Sequence, residues 1–230
     1  MGISERYTAI QKEVYACTET AQRPHDDVRI VAVSKTVGVE TIASAIAAGV
    51  EDFGENRPDA LAEKQQVYPD ATWHFIGNIQ SRKIPEIVRC AQFIHSVYKP
   101  SHLPLIDAAA KECGKIQNIL IEVNVSGEKS KGGLAPEELT GFIEACLSLS
   151  HIRVCGFMTM APQGNLEQAR CCFEALATLR KEIKSQFSGS IVNQDLHELS
   201  MGMSEDWAEA IAAGATMVRI GRAIFDESFA

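Results

Sequence analysis

The stretch VRIVAVSKTVGVETIASAIAAGVEDFGEN, residues 28–56, decides the fold. It opens with an apolar run over 28–33 in which Val and Ile dominate without alternation, the pattern of a strand buried on both faces. Apolar residues then recur at the spacing of one helix face, namely at Val39, Ile42, Ala43, Ile46 and Ala47. Gly49 ends this helix, and a second strand follows over 51–55. Strand, helix and strand in this order predict two parallel strands joined by a crossover helix.

The same alternation continues along the chain. Short apolar runs predict eight strands, over residues 28–33, 51–55, 72–77, 92–97, 118–125, 153–160, 197–202 and 216–221. The clearest helix between them starts at Pro136 and places on one face Leu139, Phe142, Ile143, Cys146 and Leu147. The segment AIAAG occurs twice, ending at Gly49 and at Gly214, each time shortly before a strand, which is a faint repeat of one helix–strand unit.

Eight such units favour an α/β fold, a single (β/α)₈ TIM barrel, over the alternative of an open doubly wound sheet. A polar pattern over about 4–22 predicts an extra N-terminal helix, and we expect one domain over residues 1–230.

Composition restricts the possible functions. The chain of 230 residues has 22 basic and 30 acidic side chains, and its net charge of −8 argues against nucleic acid and anionic membranes as primary partners. Hydrophobic residues make up 46%, enough for a core, but no run is long enough to cross a bilayer. Charged residues interrupt the first fifteen positions, unlike a signal peptide. Seven cysteines without CxxC spacing predict reduced thiols, and we expect a cytoplasmic protein.

Polar residues recur at the predicted carboxyl ends of the strands, where TIM barrels carry their chemistry. Lys35 directly follows the first buried strand. Desolvation there would favour its neutral amine, which can form a Schiff base with a carbonyl. The ordinary alternative is a lysine that extends from the strand end into solvent.

A phosphate site is indicated on the other side of strand 1. The segment SMGMS precedes a predicted helix with an acidic first turn, Glu205 and Asp206, and it contains Ser200, Gly202, Met203 and Ser204. Its N–H groups and hydroxyls could hold a phosphate, or Ser204 could simply cap the helix. Arg219 and Gly221 end the last strand, and barrels often bind phosphate after strands 7 and 8. A phosphate beside the Lys35 amine fits a ligand such as pyridoxal 5′-phosphate (PLP).

Several blocks of sequence resemble, in order and spacing, the YggS/PROSC family of pyridoxal phosphate homeostasis proteins. They are VAVSK, FGEN, WHFIGNIQSRK, EKSKGG, GFMTMAP and LSMGMSEDWAEAIAAGATMVRIGRAIF, and together they span about residues 28–226. That family is similar to the N-terminal barrel of alanine racemase. The resemblance implies a single-domain barrel that carries PLP on a lysine and serves intracellular vitamin B6 homeostasis and PLP supply.

The resemblance also implies roles for individual residues. Lys35 would hold PLP covalently as a Schiff base, Arg219 would face the pyridine nitrogen, and Asn56 would lie beside the ring. The phosphate would be held by Ser200 or Ser204 together with Gly202, Met203 and Gly221. From their positions, Met158 and Met160 could flank the ring, although such thioethers are more often core filling. The chain departs from the family pattern at Arg57, Asn78 and Arg222.

We expect a PLP carrier without catalytic activity. A permanent charge on Arg219 disfavours a protonated ring and weakens PLP as an electron sink. A racemase also needs a base opposite Lys35, which alanine racemase takes from a second domain and the partner subunit. Because this chain ends at Ala230, soon after the last predicted strand, we expect no such domain.

Two enzyme classes remain as alternatives. A PLP-dependent amino-acid racemase or lyase would use Lys35 on one face and His74 or a water on the other, although a histidine on a strand is more often a packed, hydrogen-bonded residue. A phosphate-sugar barrel enzyme would instead use Lys35 as aldolases do, with a Schiff base to the substrate.

The expected partners are PLP itself and apo-enzymes that receive it, with the protein as a monomer. Lys129 and Lys131 could accept PLP transiently during transfer, or they could be an ordinary solvated pair in a Gly-rich loop.

Overall fold

The computed structural model describes residues 2–128, 131–187 and 195–229. Within these residues, eight parallel strands follow one another around a closed barrel. They are β1 Arg29–Val33, β2 Asp52–Glu55, β3 Thr72–Phe75, β4 Phe93–Val97, β5 Gln117–Glu122, β6 Ile152–Met158, β7 Glu198–Ser200 and β8 Met217–Ile220. Because β8 pairs with β1, with Arg29 opposite Met217, the sheet has no free edge. The TIM barrel is confirmed, and each strand lies within its predicted range or begins one residue before it.

Helices cover the outside of this barrel. They are α1 Ile3–Thr20, α2 Val39–Ala47, α3 Pro58–Val67, α4 Ile84–Cys90, α5 Leu103–Glu112, α6 Leu139–Leu147, α7 Leu166–Gln186, α8 Trp207–Ala212 and α9 Arg222–Phe225. The N-terminal helix is α1, which is tied to α9 because Arg6 Nε donates to the Ile224 carbonyl at 2.8 Å. No helix among the described residues is long and apolar enough to span a membrane.

The two AIAAG segments do end helices in the same way. Gly49 follows α2 with φ +92°, and Gly214 follows α8 with φ +103°. A glycine takes this left-handed conformation without the strain that a side chain would add. The sequence repeat is therefore a repeat of the helix ending.

Two helix faces were predicted wrongly in part. In α2 the buried residues are Ile42 and Ala45, whereas Ile46 is 38% exposed. The alanines of this helix carry too little apolar surface to show from spacing alone which side faces the barrel. In α6 the predicted face is buried except for its last residue, Leu147, which is 39% exposed because the helix ends there.

The barrel interior is partly polar. Its apolar layer consists of Val31, Leu120, Cys155, Met158 and Met217, with Phe93 packed against it. Fully or almost fully buried polar side chains also point inward, and they are His74, His95, Ser200 and Arg219. The larger apolar core lies between the strands and the helices and contains Trp73. The polar column leads toward the carboxyl ends of the strands.

Candidate functional site

A cavity of about 1090 Å³ lies at the carboxyl ends of the strands. Its wall is formed by the carboxyl ends of six strands and by the loops that follow them. One residue from each of β1, β2, β3, β6, β7 and β8, in that order, is Lys35, Asn56, Gly77, Met158, Ser204 and Arg219. Cavities that bind cofactors or drug-sized ligands have volumes of roughly 300–1,000 Å³. The cavity is thus large enough for a cofactor.

Lys35 lies at the mouth of this cavity, two residues after β1 ends. Its side chain is exposed, so the protein does not desolvate the amine as the sequence analysis expected; the open mouth leaves it in contact with solvent. Among the described residues, none forms a hydrogen bond or an ion pair with its ammonium. The amine is therefore free to react with a ligand that enters from solvent.

The backbone beneath Lys35 is held by a buried ion pair. Lys64 of α3 and Glu55 of β2 pair with side chains that are 4% and 0% exposed. Lys64 Nζ also donates to the Ser34 carbonyl at 2.8 Å, and the Ser34 hydroxyl donates to Glu55 Oε1 at 2.9 Å. Ser34 directly precedes Lys35, so this network fixes the point from which the reactive side chain starts.

Arg219 contributes a buried cation to the cavity wall. It is 5% exposed, and its guanidinium donates to Ser200 Oγ at 2.7 Å and to the Thr159 carbonyl at 3.0 Å. Burial lowers the pKa of Arg219 to about 10, while Asp206 and Glu122 oppose this shift. Arg219 therefore remains positively charged at neutral pH.

Ser200 and Gly202 shape the site without lining the cavity. Ser200 is fully buried, and its hydroxyl is bonded to Arg219 and, at 2.9 Å, to His95 Nδ1. Gly202 has φ +90°, and a Cβ there would lie 2.6 Å from that of Ala210 in α8. Neither residue lines the cavity, and their predicted contact with a phosphate stays a prediction.

The loop after β7 differs from the prediction at its end. The sequence placed Glu205 and Asp206 in the first turn of a helix, but α8 begins only at Trp207. Asp206 is buried, and its carboxylate accepts the Met203 N–H at 2.5 Å. Burial raises the pKa of Asp206. The Met203 N–H, which was predicted to bind phosphate, therefore already donates to a carboxylate.

Two other groups remain for an anion at this end of the cavity. Ser204 lines the wall, with its hydroxyl 3.5 Å from the Ala223 N–H. Arg222 also lines it, where its guanidinium donates to Glu205 at 2.6 Å and lies 4.9 Å from the Phe229 ring centroid. The departure at Arg222 thus adds a cation to the rim.

The remaining departures differ in position. Asn78 lines the cavity, whereas Arg57 is the exposed residue before α3 and does not. Asn56 lies in the wall with Gly77 packed tightly against it, since a Cβ on Gly77 would be 2.0 Å from the Asn56 carbonyl. Tight packing therefore holds the Asn56 loop in place.

Comparisons with known proteins place this site in a family. The family model described as alanine racemase, N-terminal domain, matches residues 7–228. A protein of Aquifex aeolicus named pyridoxal phosphate homeostasis protein is 36% identical over 230 residues, covering 99% of this chain and 99% of that protein. A protein of Synechocystis sp. with the same name is 37% identical over 204 residues, covering 87% and 91%. The structure of PipY from Synechococcus elongatus with PLP bound matches with a TM-score of 0.85 at 32% identity, covering 97% of this chain and 99% of that one.

The chain belongs to the pyridoxal phosphate homeostasis protein family. The resemblance drawn from the sequence blocks is thereby confirmed. In this member of the family, most of the predicted site residues lie together on the cavity wall, namely Lys35, Asn56, Met158, Met203, Ser204, Arg219 and Gly221. Their individual roles toward a ligand remain predictions.

The alternative residues weighed from the sequence lie as follows. His74 is fully buried in the barrel, with its two ring nitrogens bonded to Asp52 and His95, so it is the packed histidine and not a base facing the cavity. Lys131 Nζ lies 3.3 Å from the carbonyl of Met160 at the rim. Lys129 lies outside the described residues.

Sequence reasoning missed the groups that support the site. Neither the pairing of Glu55 with Lys64 nor the contact of His95 with Ser200 was predicted. A weak signal for the second was available, because two neighbouring predicted strands each carry a histidine, His74 and His95. Asp206 was predicted to lie in the first turn of a helix, whereas its carboxylate accepts the Met203 N–H.

Proposed function

We propose that this protein binds PLP covalently and reversibly on Lys35 and holds it for supply to other enzymes, as part of vitamin B6 homeostasis. The observation that carries the proposal is one cavity that joins the exposed amine of Lys35, which has no partner among the described residues, to the buried cation of Arg219. The PLP in the PipY structure and the names of the relatives support it.

The residues present fit each functional group of PLP. When bound, PLP supplies an aldehyde that condenses with a primary amine, and Lys35 provides that amine. Arg219 would face the ring nitrogen, and its positive charge would keep that nitrogen unprotonated. Ser204 and Arg222 would receive the phosphate, because a hydroxyl and a guanidinium are both suited to phosphate oxygens. Asn56 and Met158 would border the ring.

A carrier fits this cavity better than an amino-acid racemase or lyase. Such an enzyme needs a second proton carrier within reach of the substrate. The described cavity wall contains no histidine, tyrosine or cysteine, and His74 is occupied inside the barrel. Each of the four wall carboxylates has a partner: Glu205 pairs with Arg222, Asp206 with the Met203 N–H, Asp226 with the Ser228 hydroxyl and Glu227 with Arg6. We therefore propose a non-catalytic role.

We further propose that the chain acts as a single-domain monomer in the cytoplasm and passes PLP to apo-enzymes. All seven cysteines are free thiols, which is usual for a protein from a reducing compartment. The exposure of Lys35 supports transfer, since a second amine can reach the linkage from solvent.

The test starts with the visible absorbance of the purified protein, before and after borohydride, followed by mass mapping of the modified peptide. We expect a reduced pyridoxyl group on Lys35, its loss in Lys35→Ala, and its retention in the matched control Lys131→Ala, a lysine near the same mouth. If no cofactor is found even after incubation with PLP, the proposal fails, and phosphorylated sugar aldehydes become the next ligands to test.

A second assay separates carrier from enzyme. The PLP-loaded protein is incubated with small amino acids, and separately with an apo-enzyme that requires PLP. Activation of the apo-enzyme without steady amino-acid turnover is the expected result. Steady turnover would establish the racemase or lyase instead.

A further inference from the structure

An unbroken series of hydrogen bonds runs through the barrel interior from the cavity wall to the opposite end. Arg219 Nη1 is 2.7 Å from Ser200 Oγ, and Ser200 Oγ is 2.9 Å from His95 Nδ1. His95 Nε2 is 2.8 Å from His74 Nδ1, and His74 Nε2 is 2.9 Å from Asp52 Oδ1. We call these five residues the interior chain.

The two ends of the interior chain determine its direction. A guanidinium only donates, so Ser200 Oγ accepts from Arg219 and still has its own proton to give. The carboxylate of Asp52 only accepts, so a neutral His74 donates to it from Nε2 and accepts at Nδ1. His95 therefore donates to His74 from Nε2, and its Nδ1 accepts the Ser200 proton. Both histidines carry their hydrogen on Nε2, and every bond in the chain is satisfied with neutral rings.

The surroundings keep both rings neutral at neutral pH. Burial lowers the pKa of His95 well below its usual range, and the charges of Arg219 and Arg29 lower it further. Burial likewise lowers the pKa of His74, against the opposing effects of Asp52 and Glu198. A protonated His95 would direct a second N–H at Ser200, in competition with the bond from Arg219.

We propose that His74 and His95 are positioning residues, which through Ser200 hold the Arg219 guanidinium in the orientation in which it meets the ring nitrogen of PLP. This inference rests on the proposed function. The Arg219 guanidinium has one other hydrogen bond among the described residues, to the Thr159 carbonyl. Without Ser200 as a fixed acceptor, the long side chain could rotate about that single contact. Binding groups need supporting residues that hold them to within about 0.5 Å.

The experiment compares two ligands that differ only at the ring nitrogen: PLP and its 1-deaza analogue, in which CH replaces that nitrogen. Affinities are measured by absorbance titration of the full-length protein and of His95→Phe and His74→Phe. The matched control is His102→Phe, because His102 is also buried, at 3% exposed, but lies outside the interior chain. Ser200→Ala cuts the same chain with a smaller change in shape and serves if a histidine variant does not fold.

We expect His95→Phe to weaken PLP binding roughly tenfold, the effect of losing a hydrogen bond to a charged group. Binding of the deaza analogue should change less than twofold, and the control variant should bind both ligands normally. Equal weakening for the two ligands would show a general structural role and overturn the inference, while the proposed function would stand. Absence of PLP binding in the unmodified protein would overturn both.

A measurement without ligand tests the chain itself. In ¹⁵N-histidine NMR spectra of the unliganded protein at neutral pH, His74 and His95 should both be neutral and show the Nε2–H tautomer. The Nδ1–H tautomer on either ring, or a charged ring at that pH, would contradict the direction of the chain and with it the inference.

Discussion

Replacing Lys64 with methionine should destabilise the protein far more than replacing a surface lysine. Lys64 and Glu55 form a buried ion pair whose side chains are 4% and 0% exposed. Methionine keeps the length and the apolar stem of the side chain but removes the charge. Among the described residues, Glu55 would then be a buried carboxylate that keeps its bonds to the Ser34 hydroxyl and, at 3.2 Å, to the Asn56 N–H. The Ser34 carbonyl would lose the bond from Lys64 and keep the one from the Val37 N–H at 3.1 Å.

The magnitude follows from the burial of both partners. Removing one partner of a buried ion pair costs about 3–5 kcal/mol, because the remaining charge is uncompensated. In a domain of this size each kcal/mol shifts the melting temperature by about 2–4 °C, so the expected loss is roughly 6–20 °C. The double variant Glu55→Gln/Lys64→Met has no unpaired charge. It should therefore recover at least about 1 kcal/mol of the loss, within the usual coupling energy of contacting residues.

Urea unfolding followed by circular dichroism measures these free energies, and calorimetry measures the melting temperatures. Lys83→Met is the matched control, since Lys83 pairs with Asp59 and Glu86 on the surface, where ion pairs contribute little. Its melting temperature should stay close to that of the unmodified protein. A Lys64→Met variant within about 1 kcal/mol of the unmodified protein, or a double variant as unstable as the single one, would refute the reasoning.

Other predictions follow from single contacts. The pKa values of His74 and His95 lie below the unfolded value of about 6.5, so below that pH the unfolded chain binds more protons than the folded protein. The free energy of unfolding should therefore decrease as the pH drops through this range, by up to about 1.4 kcal/mol per pH unit and per histidine. Urea unfolding at pH 7.5 and 5.5 tests the sign. Gly77→Ala should weaken PLP binding, because the new Cβ would lie 2.0 Å from the Asn56 carbonyl in the cavity wall. Gly141→Ala, by contrast, places a Cβ in open space on α6 and should raise the free energy of unfolding by about 0.5–1 kcal/mol. Arg222→Ala should weaken PLP but not pyridoxal in absorbance titrations, and the difference should shrink at high salt.

Elements made of continuous apolar residues were predictable, and elements that depend on a single side chain were not. The run over 28–33 predicted β1 to within one residue, because strands buried on both faces contain little besides Val and Ile. The start of α8 was placed too early, because Glu205 and Asp206 have the composition of a first helical turn. Instead, Asp206 folds back onto the Met203 N–H at 2.5 Å, a local contact with the backbone that composition alone does not reveal.

The candidate site shows the same division. Lys35 and Arg219 were found because a barrel brings strand ends together, so position along a strand is enough to place them. Their supporting groups were missed because the contacts join distant parts of the chain. His95 bonds to Ser200 across 105 positions and to His74 across 21. Pairings of this kind depend on strand register, which apolar patterns fix only loosely for buried strands.

The two ends of the proposed ligand are thus supported by separate networks. Beneath Lys35, the pair of Lys64 and Glu55 holds the backbone but leaves the amine in solvent. Behind Arg219, on the neighbouring strand β8, the interior chain holds a buried charge. A PLP enzyme needs a closed, water-excluding site for its chemistry, whereas a carrier needs firm recognition of the ring together with an accessible linkage. Exposure of the reactive amine beside a rigid cation meets the second requirement. Retention and release should then respond to different substitutions, retention to the interior chain and release to the rim of the mouth.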